Sequence, residues 1–193
     1  LEMSTDLDID SRRMAAQITD ATRKCSMLLG SLTSVARKSR TDARLVEIDS
    51  FINEVLDLKR YDFRVARVAL QTDFEKPAPS IMIDRPKMAM ALIYLLMNAL
   101  DVVGQTQGAT TSVITRNNAQ SLDIEVKNSG PTIPEELRAQ MFDMMYTTKG
   151  SEHMGLGLAL ARDIARYHGG DLTYHRDRGF VLNLPYETKI ALS

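Results

Sequence analysis

Asn98 stands in the run Leu95-Leu96-Met97-Asn98-Ala99-Leu100-Asp101, an amide on an otherwise apolar helical stretch, with Asp101 one turn away on the same side. A buried Asn needs hydrogen-bonding partners. Taken alone, the plainer reading is a core Asn bonded to backbone; the chemical one is a side-chain carbonyl offered to a hard cation such as Mg²⁺, which prefers oxygen ligands. The second stretch of interest is Val126-Lys127-Asn128-Ser129-Gly130-Pro131-Thr132-Ile133-Pro134, a strand running into a tight Gly-Pro turn. Such a turn brings backbone close to a flat ligand, with Asn128 at the strand end as the polar reader. The third is Thr147-Thr148-Lys149 followed by Gly155-Leu156-Gly157-Leu158-Ala159. Glycines opening a helix leave N–H groups pointing outward at the positive end of the helix dipole, which suits phosphate. Lys149 adds a cation within reach of the same anion. No Gly-x-x-x-x-Gly-Lys-Ser/Thr run occurs, so this is not a P-loop.

These residues need a scaffold. Pro86 starts a helix that runs to about Val103 and carries Asn98 and Asp101. Thr111 to Thr115 and Leu122 to Lys127 alternate as adjacent strands, the second delivering Asn128. A short helix follows from Pro134, then an irregular stretch over 143–154, then a helix from Leu156 to Tyr167 closed by Gly169-Gly170. Leu172 to His175 and Gly179 to Leu184 form a last hairpin. Upstream, the pattern predicts strands at 44–48, 65–70 and 80–83 and a helix at 50–58, with a turn at Lys76-Pro77-Ala78-Pro79. The implied body is α+β, a two-layer sandwich of one mixed sheet with helices on one face, over residues 44–193.

Residues 1–43 read differently. Met14, Ile18, Ala21, Cys25, Leu28, Leu32 and Val35 are spaced by alternating steps of four and three, a heptad seam on a helix spanning 11–39. A stripe this narrow predicts pairing with another helix, and hence a homodimer through 11–39. The chain has 193 residues, 44% hydrophobic and 25% charged, enough for one ordinary domain plus an appended element. Its formal net charge of -1 gives no electrostatic case for nucleic acid. One cysteine excludes an intrachain disulfide framework. The longest apolar run, Met88 to Leu100, falls short of the roughly 20 residues that span a bilayer. No membrane segment or signal peptide is expected in the chain, though a full-length protein could be membrane-anchored.

In order and spacing, Asn98-Ala99, Asn128 to Pro134, Phe142 to Lys149, Gly155 to Ala159 and His168-Gly169-Gly170 resemble the nucleotide-binding boxes of the histidine kinase, gyrase, Hsp90 and MutL superfamily, with the sensor histidine kinase branch nearest. The resemblance covers about 85–185 and extends loosely back to Val46. It implies ATP and Mg²⁺ as cofactors, held under a mobile lid at 149–154. Asn98 matches the Mg²⁺-binding Asn, Asn128 the adenine-reading residue, Gly130 the first glycine of its turn, and Gly155 and Gly157 the glycines at the phosphates. Asp101, Thr132, Leu156 and Lys149 complete the implied site, with Asn98 and Lys149 in the catalytic roles. By the same resemblance the setting is cytoplasmic, the partner is a response regulator, and helix 11–39 is the second helix of a dimerisation hairpin.

The pattern also departs from the family. The adenine reader is Asp there and Asn128 here; an amide can accept from the exocyclic amine and donate to ring N1, or, turned over, fit the guanine edge. Thr132 replaces the turn's second glycine, Met144 and Met145 replace Pro and Phe, His153-Met154 replace Gly-Thr, and Tyr94 replaces the first Asn of the helix motif. The histidines are His153, His168 and His175, none on the N-terminal helix where a phosphoacceptor would sit. His168, in the helix-ending His-Gly-Gly, reads as structural. Two uses of the fold compete: a kinase domain that phosphorylates a histidine outside this segment, and a degenerate dimeric module that regulates through contacts.

Overall fold

The computed structural model describes residues 43–104, 106–148 and 155–187, together with Ser11 and Met14. The chain divides into two compact units, Leu1–Ser39 and Arg40–Ser193. The expected helix 11–39 lies outside the described residues except for Ser11 and Met14, both helical and exposed. Lys149, His153 and Met154 also lie outside them.

In the second unit, β1 (Ala43–Glu47) pairs antiparallel with β3 (Ser80–Asp84) as a small separate ribbon. Helix α1 (Ile48–Val65) begins where the Glu47 carboxylate accepts from the Ser50 N–H. Ile48, Phe51, Ile52, Val55, Leu56 and Phe63 share its buried stripe at steps of three and four. The sequence predicts this helix only over 50–58, with a strand from Val65. The structure corrects both. Phe63 continues the buried stripe for a further turn, Asp57–Arg60 and Lys59–Asp62 pair along the outer face, and β2 starts at Ala69.

Strands β2 (Ala69–Phe74), β4 (Thr110–Asn117), β5 (Ser121–Asn128), β7 (Gly179–Pro185) and β6 (Asp171–His175) form one mixed sheet in the order β2-β4-β5-β7-β6. Only β2 and β4 run parallel within it. Register puts Val113 beside Val126, Ile124 beside Leu182, Leu122 beside Leu184 and Leu172 beside Leu182, all buried on one face. Helix α2 (Arg85–Val103) and helix α4 (Gly157–Tyr167) pack on that face and on each other. By length and composition alone α2 could cross a membrane. Its apolar residues instead fill the core: Met88, Leu92, Leu95, Leu96 and Val103 are all buried. Truncating one of these, such as Leu95, to Ala would cost about 2–5 kcal/mol.

Two polar fixtures set the α4 end of the sandwich. His168 is fully buried; its Nε2 accepts from the Asp84 N–H at 2.9 Å, and its Nδ1–H donates to the Ile164 carbonyl at 2.7 Å. Burial pushes its pKa below the usual histidine value, so the neutral ring is the bonded form. This joins the end of α4 to the start of α2, whose first turn is capped by the Asp84 side chain accepting from the Lys87 N–H. Arg162 then makes a two-pronged bond to Asp171, at 2.8 and 2.9 Å, tying α4 to β6. That guanidinium draws the Asp171 pKa down to about 2.

On the sheet's opposite face, Arg178 in the β6–β7 turn donates to Glu125 and Asp123, both nearly buried. Burial pushes the Asp123 pKa up, but hydrogen bonds from Arg178, Asn183 and Asn118 outweigh it and leave the carboxylate more acidic than usual. The hairpin carrying Tyr174, Arg176 and Phe180 is thereby anchored to β5.

Candidate functional site

A cleft opens beside α2, against the end of β5 and the loop that follows it. Asn98 and Val102 of α2, Val126 to Asn128 of β5, Gly130 to Ile133 of the loop, and Tyr174, Arg176, Gly179 and Phe180 of the last hairpin line it. Val102, Val126, Ile133 and Phe180 give apolar walls, Asn98 and Asn128 two amides, and Lys127 and Arg176 two exposed cations. Apolar walls with a few directed polar groups are what a planar heterocycle with a charged tail requires.

The loop is held at both ends. The Ser129 N–H donates to the Thr110 carbonyl, and the Ser129 hydroxyl accepts from the Thr110 N–H, each at 3.0 Å. The Ile133 N–H donates to the Tyr174 hydroxyl at 3.0 Å, and Arg138, at the end of α3 (Glu135–Arg138), donates to the Ile133 carbonyl at 3.1 Å. Between these ties, the Asn128 Oδ1 accepts from the Gly130 N–H at 2.9 Å. Gly130 sits hard against α2: a Cβ there would stand 2.6 Å from Val102 Cγ1 and 3.0 Å from Val103 Cγ1. The glycine is a packing requirement of the loop, and that packing keeps Asn128 in the cleft.

Gly155 and Gly157 separate into two roles. Gly155 has φ +63°, and its carbonyl accepts from the Met145 N–H at 3.1 Å. A Cβ there would lie 2.3 Å from the Tyr146 carbonyl oxygen. Gly155 therefore packs directly on the Met145–Tyr146 backbone. Gly157 is the first residue of α4, behind a Leu156 N-cap that supplies no side-chain hydrogen bond. Among the described residues, the atoms nearest a Cβ on Gly157 would be those of the Tyr94 side chain, at an ordinary 3.7 Å. Tyr94 lies one turn before Asn98 on α2 and is buried, which pushes its phenol pKa upward. The amide-bearing helix and the uncapped helix start thus meet at Tyr94.

Of the residues the sequence singles out, Asn98, Asn128, Gly130 and Thr132 converge on the cleft. Asp101 is exposed on α2 and does not line it. Gly155, Leu156 and Gly157 lie beyond its lining, at the neighbouring α4 start. Among the described residues no group of three His, Cys, Asp or Glu side chains could hold a metal ion. Asn98 supplies one oxygen donor, so a Mg²⁺ ion here would complete its shell from ligand phosphates and water. Sequence reading missed the far wall, Tyr174, Arg176 and Phe180. Their alternation marks a strand, but nothing local says that this hairpin faces the turn after β5.

The protein-family model described as "Histidine kinase-, DNA gyrase B-, and HSP90-like ATPase" matches residues 83–188. Sensor histidine kinase ZraS of Escherichia coli (strain K12) is 24% identical over 180 residues, covering 91% of this chain and 38% of its own length. The C4-dicarboxylate transport sensor protein DctS of Rhodobacter capsulatus is 26% identical over 169 residues, covering 84% of this chain and 26% of its own. The chain thus spans well under half of these relatives. The solved catalytic domain of histidine kinase ThkA is 28% identical, with a TM-score of 0.67, and the match covers 75% of this chain and 98% of that one. ThkA in complex with response regulator protein TrrA has the same fold, with a TM-score of 0.72 over 88% of this chain and 49% of that one. The matched segment takes in α2, the cleft and α4, more than half of the chain, and the chain belongs to the histidine kinase-, DNA gyrase B- and HSP90-like ATPase family.

Proposed function

We propose that this chain is the catalytic domain of a two-component sensor kinase, binding a Mg²⁺-nucleoside triphosphate and passing its γ-phosphoryl to a histidine outside this segment. The convergence of Asn98 of α2 with Asn128 and Thr132, at the end of β5 and in the loop after it, on one apolar-walled cleft carries the reading. The base would lie between Val102, Val126, Ile133 and Phe180, with Asn128 reading its polar edge. The phosphates would run toward Tyr94 and the uncapped N–H groups of α4, where the helix dipole favours anions. Asn98 would hold the metal, which when bound neutralises charge on the phosphate oxygens. Lys149, outside the described residues, is proposed as the second neutralising group.

In the transfer, the γ-phosphorus–oxygen bond breaks as a bond to an imidazole nitrogen forms, and the nucleoside diphosphate leaves. A response-regulator carboxylate then takes the phosphoryl group and releases the imidazole. The protein's contribution is positioning and charge neutralisation. The complex of ThkA with TrrA supports a response regulator as partner here. Dimerisation through helix 11–39 and a cytoplasmic setting belong to the same proposal.

A second reading is supported by the Asn128–Gly130 hydrogen bond, which engages the reader's oxygen within the loop. On that reading the fold is a regulatory module with weak or absent nucleotide binding. Titration calorimetry of the chain with ATP, ADP and GTP, with and without Mg²⁺, separates the two. Micromolar, Mg²⁺-dependent binding supports the kinase domain; silence to every nucleotide sinks it in favour of the module.

A further inference from the structure

Asn128 carries a side chain with two unlike arms, and its surroundings set which arm faces a ligand. The Gly130 N–H can only donate, so the 2.9 Å contact it makes must be to the amide oxygen. Turning the amide over would set two donors against each other. A Cβ at Gly130 would stand within 3.0 Å of Val102, Val103 and the Asn128 oxygen alike, so the three are packed closely together. The loop itself is tied down through Ser129 and Ile133. Oδ1 keeps one further lone pair, while Nδ2, a donor of two hydrogens, is the arm that the Gly130 bond leaves uncommitted in the cleft that Asn128 lines.

We propose that this cleft selects a 6-oxopurine nucleotide, one carrying guanine or hypoxanthine, over an adenine nucleotide. The inference rests on the nucleotide-binding reading of the same cleft. With Nδ2 opposite position 6, adenine presents an amine, donor against donor, and only the neighbouring ring N1 accepts from it. A 6-oxopurine presents a carbonyl oxygen there, which accepts from it. Thr132, which also lines the cleft, brings a hydroxyl able to accept from the N1–H that a 6-oxopurine carries and adenine lacks. A carboxylate at 128 would reverse the choice. One oxygen would keep the Gly130 bond, and the other would accept from the adenine amine.

The test is equilibrium titration of the whole chain and of Asn128→Asp with ATP, GTP and ITP at one fixed Mg²⁺ concentration. ITP isolates the 6-oxo group, since hypoxanthine has no 2-amino group. The unsubstituted chain is expected to bind GTP and ITP about tenfold to a hundredfold more tightly than ATP, the range one mismatched hydrogen bond produces. Asn128→Asp is expected to turn the order round in favour of ATP. Its melting temperature should be unchanged, because the carboxylate still accepts from Gly130. Tighter ATP binding by the unsubstituted chain, equal binding of all three, or binding of ATP by Asn128→Asp alone each overturns the 6-oxopurine assignment and leaves the nucleotide site standing. Silence of both folded proteins to all three nucleotides overturns the nucleotide reading beneath it.

Discussion

Replacing Gly157 with Ala separates a glycine needed for a ligand from one needed for the fold. The new Cβ would sit 3.7 Å from the Tyr94 side chain, ordinary van der Waals contact that displaces none of the described residues. Ala also loses less backbone entropy than Gly on entering a helix, a gain of up to about 1 kcal/mol. The ligand-free protein should therefore melt at the same temperature or up to about 2–4 °C higher. Under the proposed phosphate placement, the N–H groups at the start of α4 would gain a methyl group beside them. If that costs about tenfold in affinity, a nucleotide held at 100 times the original Kd stabilises by about 1.4 instead of about 2.7 kcal/mol. The nucleotide-induced shift in melting temperature should fall by about half, and thermal melts with and without Mg²⁺-nucleotide read both effects. A drop of several degrees in the ligand-free melt would refute the packing argument. An undiminished ligand shift would refute the placement of phosphate at this helix start. Gly155→Ala is the contrasting control: with φ +63° and the Tyr146 oxygen 2.3 Å away, it should lower the ligand-free melt outright.

Asn98→Ala should abolish the Mg²⁺ dependence of nucleotide binding in calorimetry, and unchanged metal dependence would remove the metal assignment. His168→Ala should cost about 2–4 kcal/mol in urea unfolding, since it leaves the Asp84 N–H without its acceptor in a fully buried site; a loss under about 1 kcal/mol would contradict the role given to the ring. His168 has a folded pKa below its unfolded value, so its contribution is complete above about pH 6.5 and declines as pH falls toward the folded value. A stability-against-pH profile in which His168→Ala lacks that decline checks the sign. The heptad at 11–39 predicts a dimer, and sedimentation showing a monomer at every concentration would rule out the seam.

Much of this architecture can be read from local pattern. The alternation at 111–115 and 122–127, Pro86 at a helix start and Gly169-Gly170 at a helix end are decided by neighbours in sequence, and each falls where the structure puts an element. The error at 50–70 has a physical source. Leu58, Tyr61 and Val65 are apolar but exposed, so they obscured the stripe that Phe63 prolongs. The far wall of the cleft was out of reach, because Tyr174 meets Ile133 through a tertiary bond between residues 41 apart. Asn128 stands out in the sequence as a candidate reader, but its side-chain orientation does not, because that depends on the Gly130 N–H.

The glycines and the buried histidine of these motifs do not weigh equally as evidence of activity. Gly130 abuts Val102 and Val103, Gly155 crosses the Tyr146 backbone, and a Cβ at Gly170 would lie 1.8 Å from the Asn183 oxygen. His168 holds two helices together through its ring nitrogens. All four would be required by this fold in a domain that bound nothing. Their presence therefore cannot separate a working kinase domain from a regulatory module of the same shape. Gly157 and Asn128 can. Among the described residues Gly157 has room for a methyl group, so their packing does not explain a glycine at a helix start without a side-chain cap. Asn128 accepts from Gly130 through its oxygen, a bond Asp could also make, so the amide nitrogen is not needed for that bond. On the proposed nucleotide reading both positions would bear on the ligand more than on the scaffold, and substitutions there test it with the least disturbance of the fold.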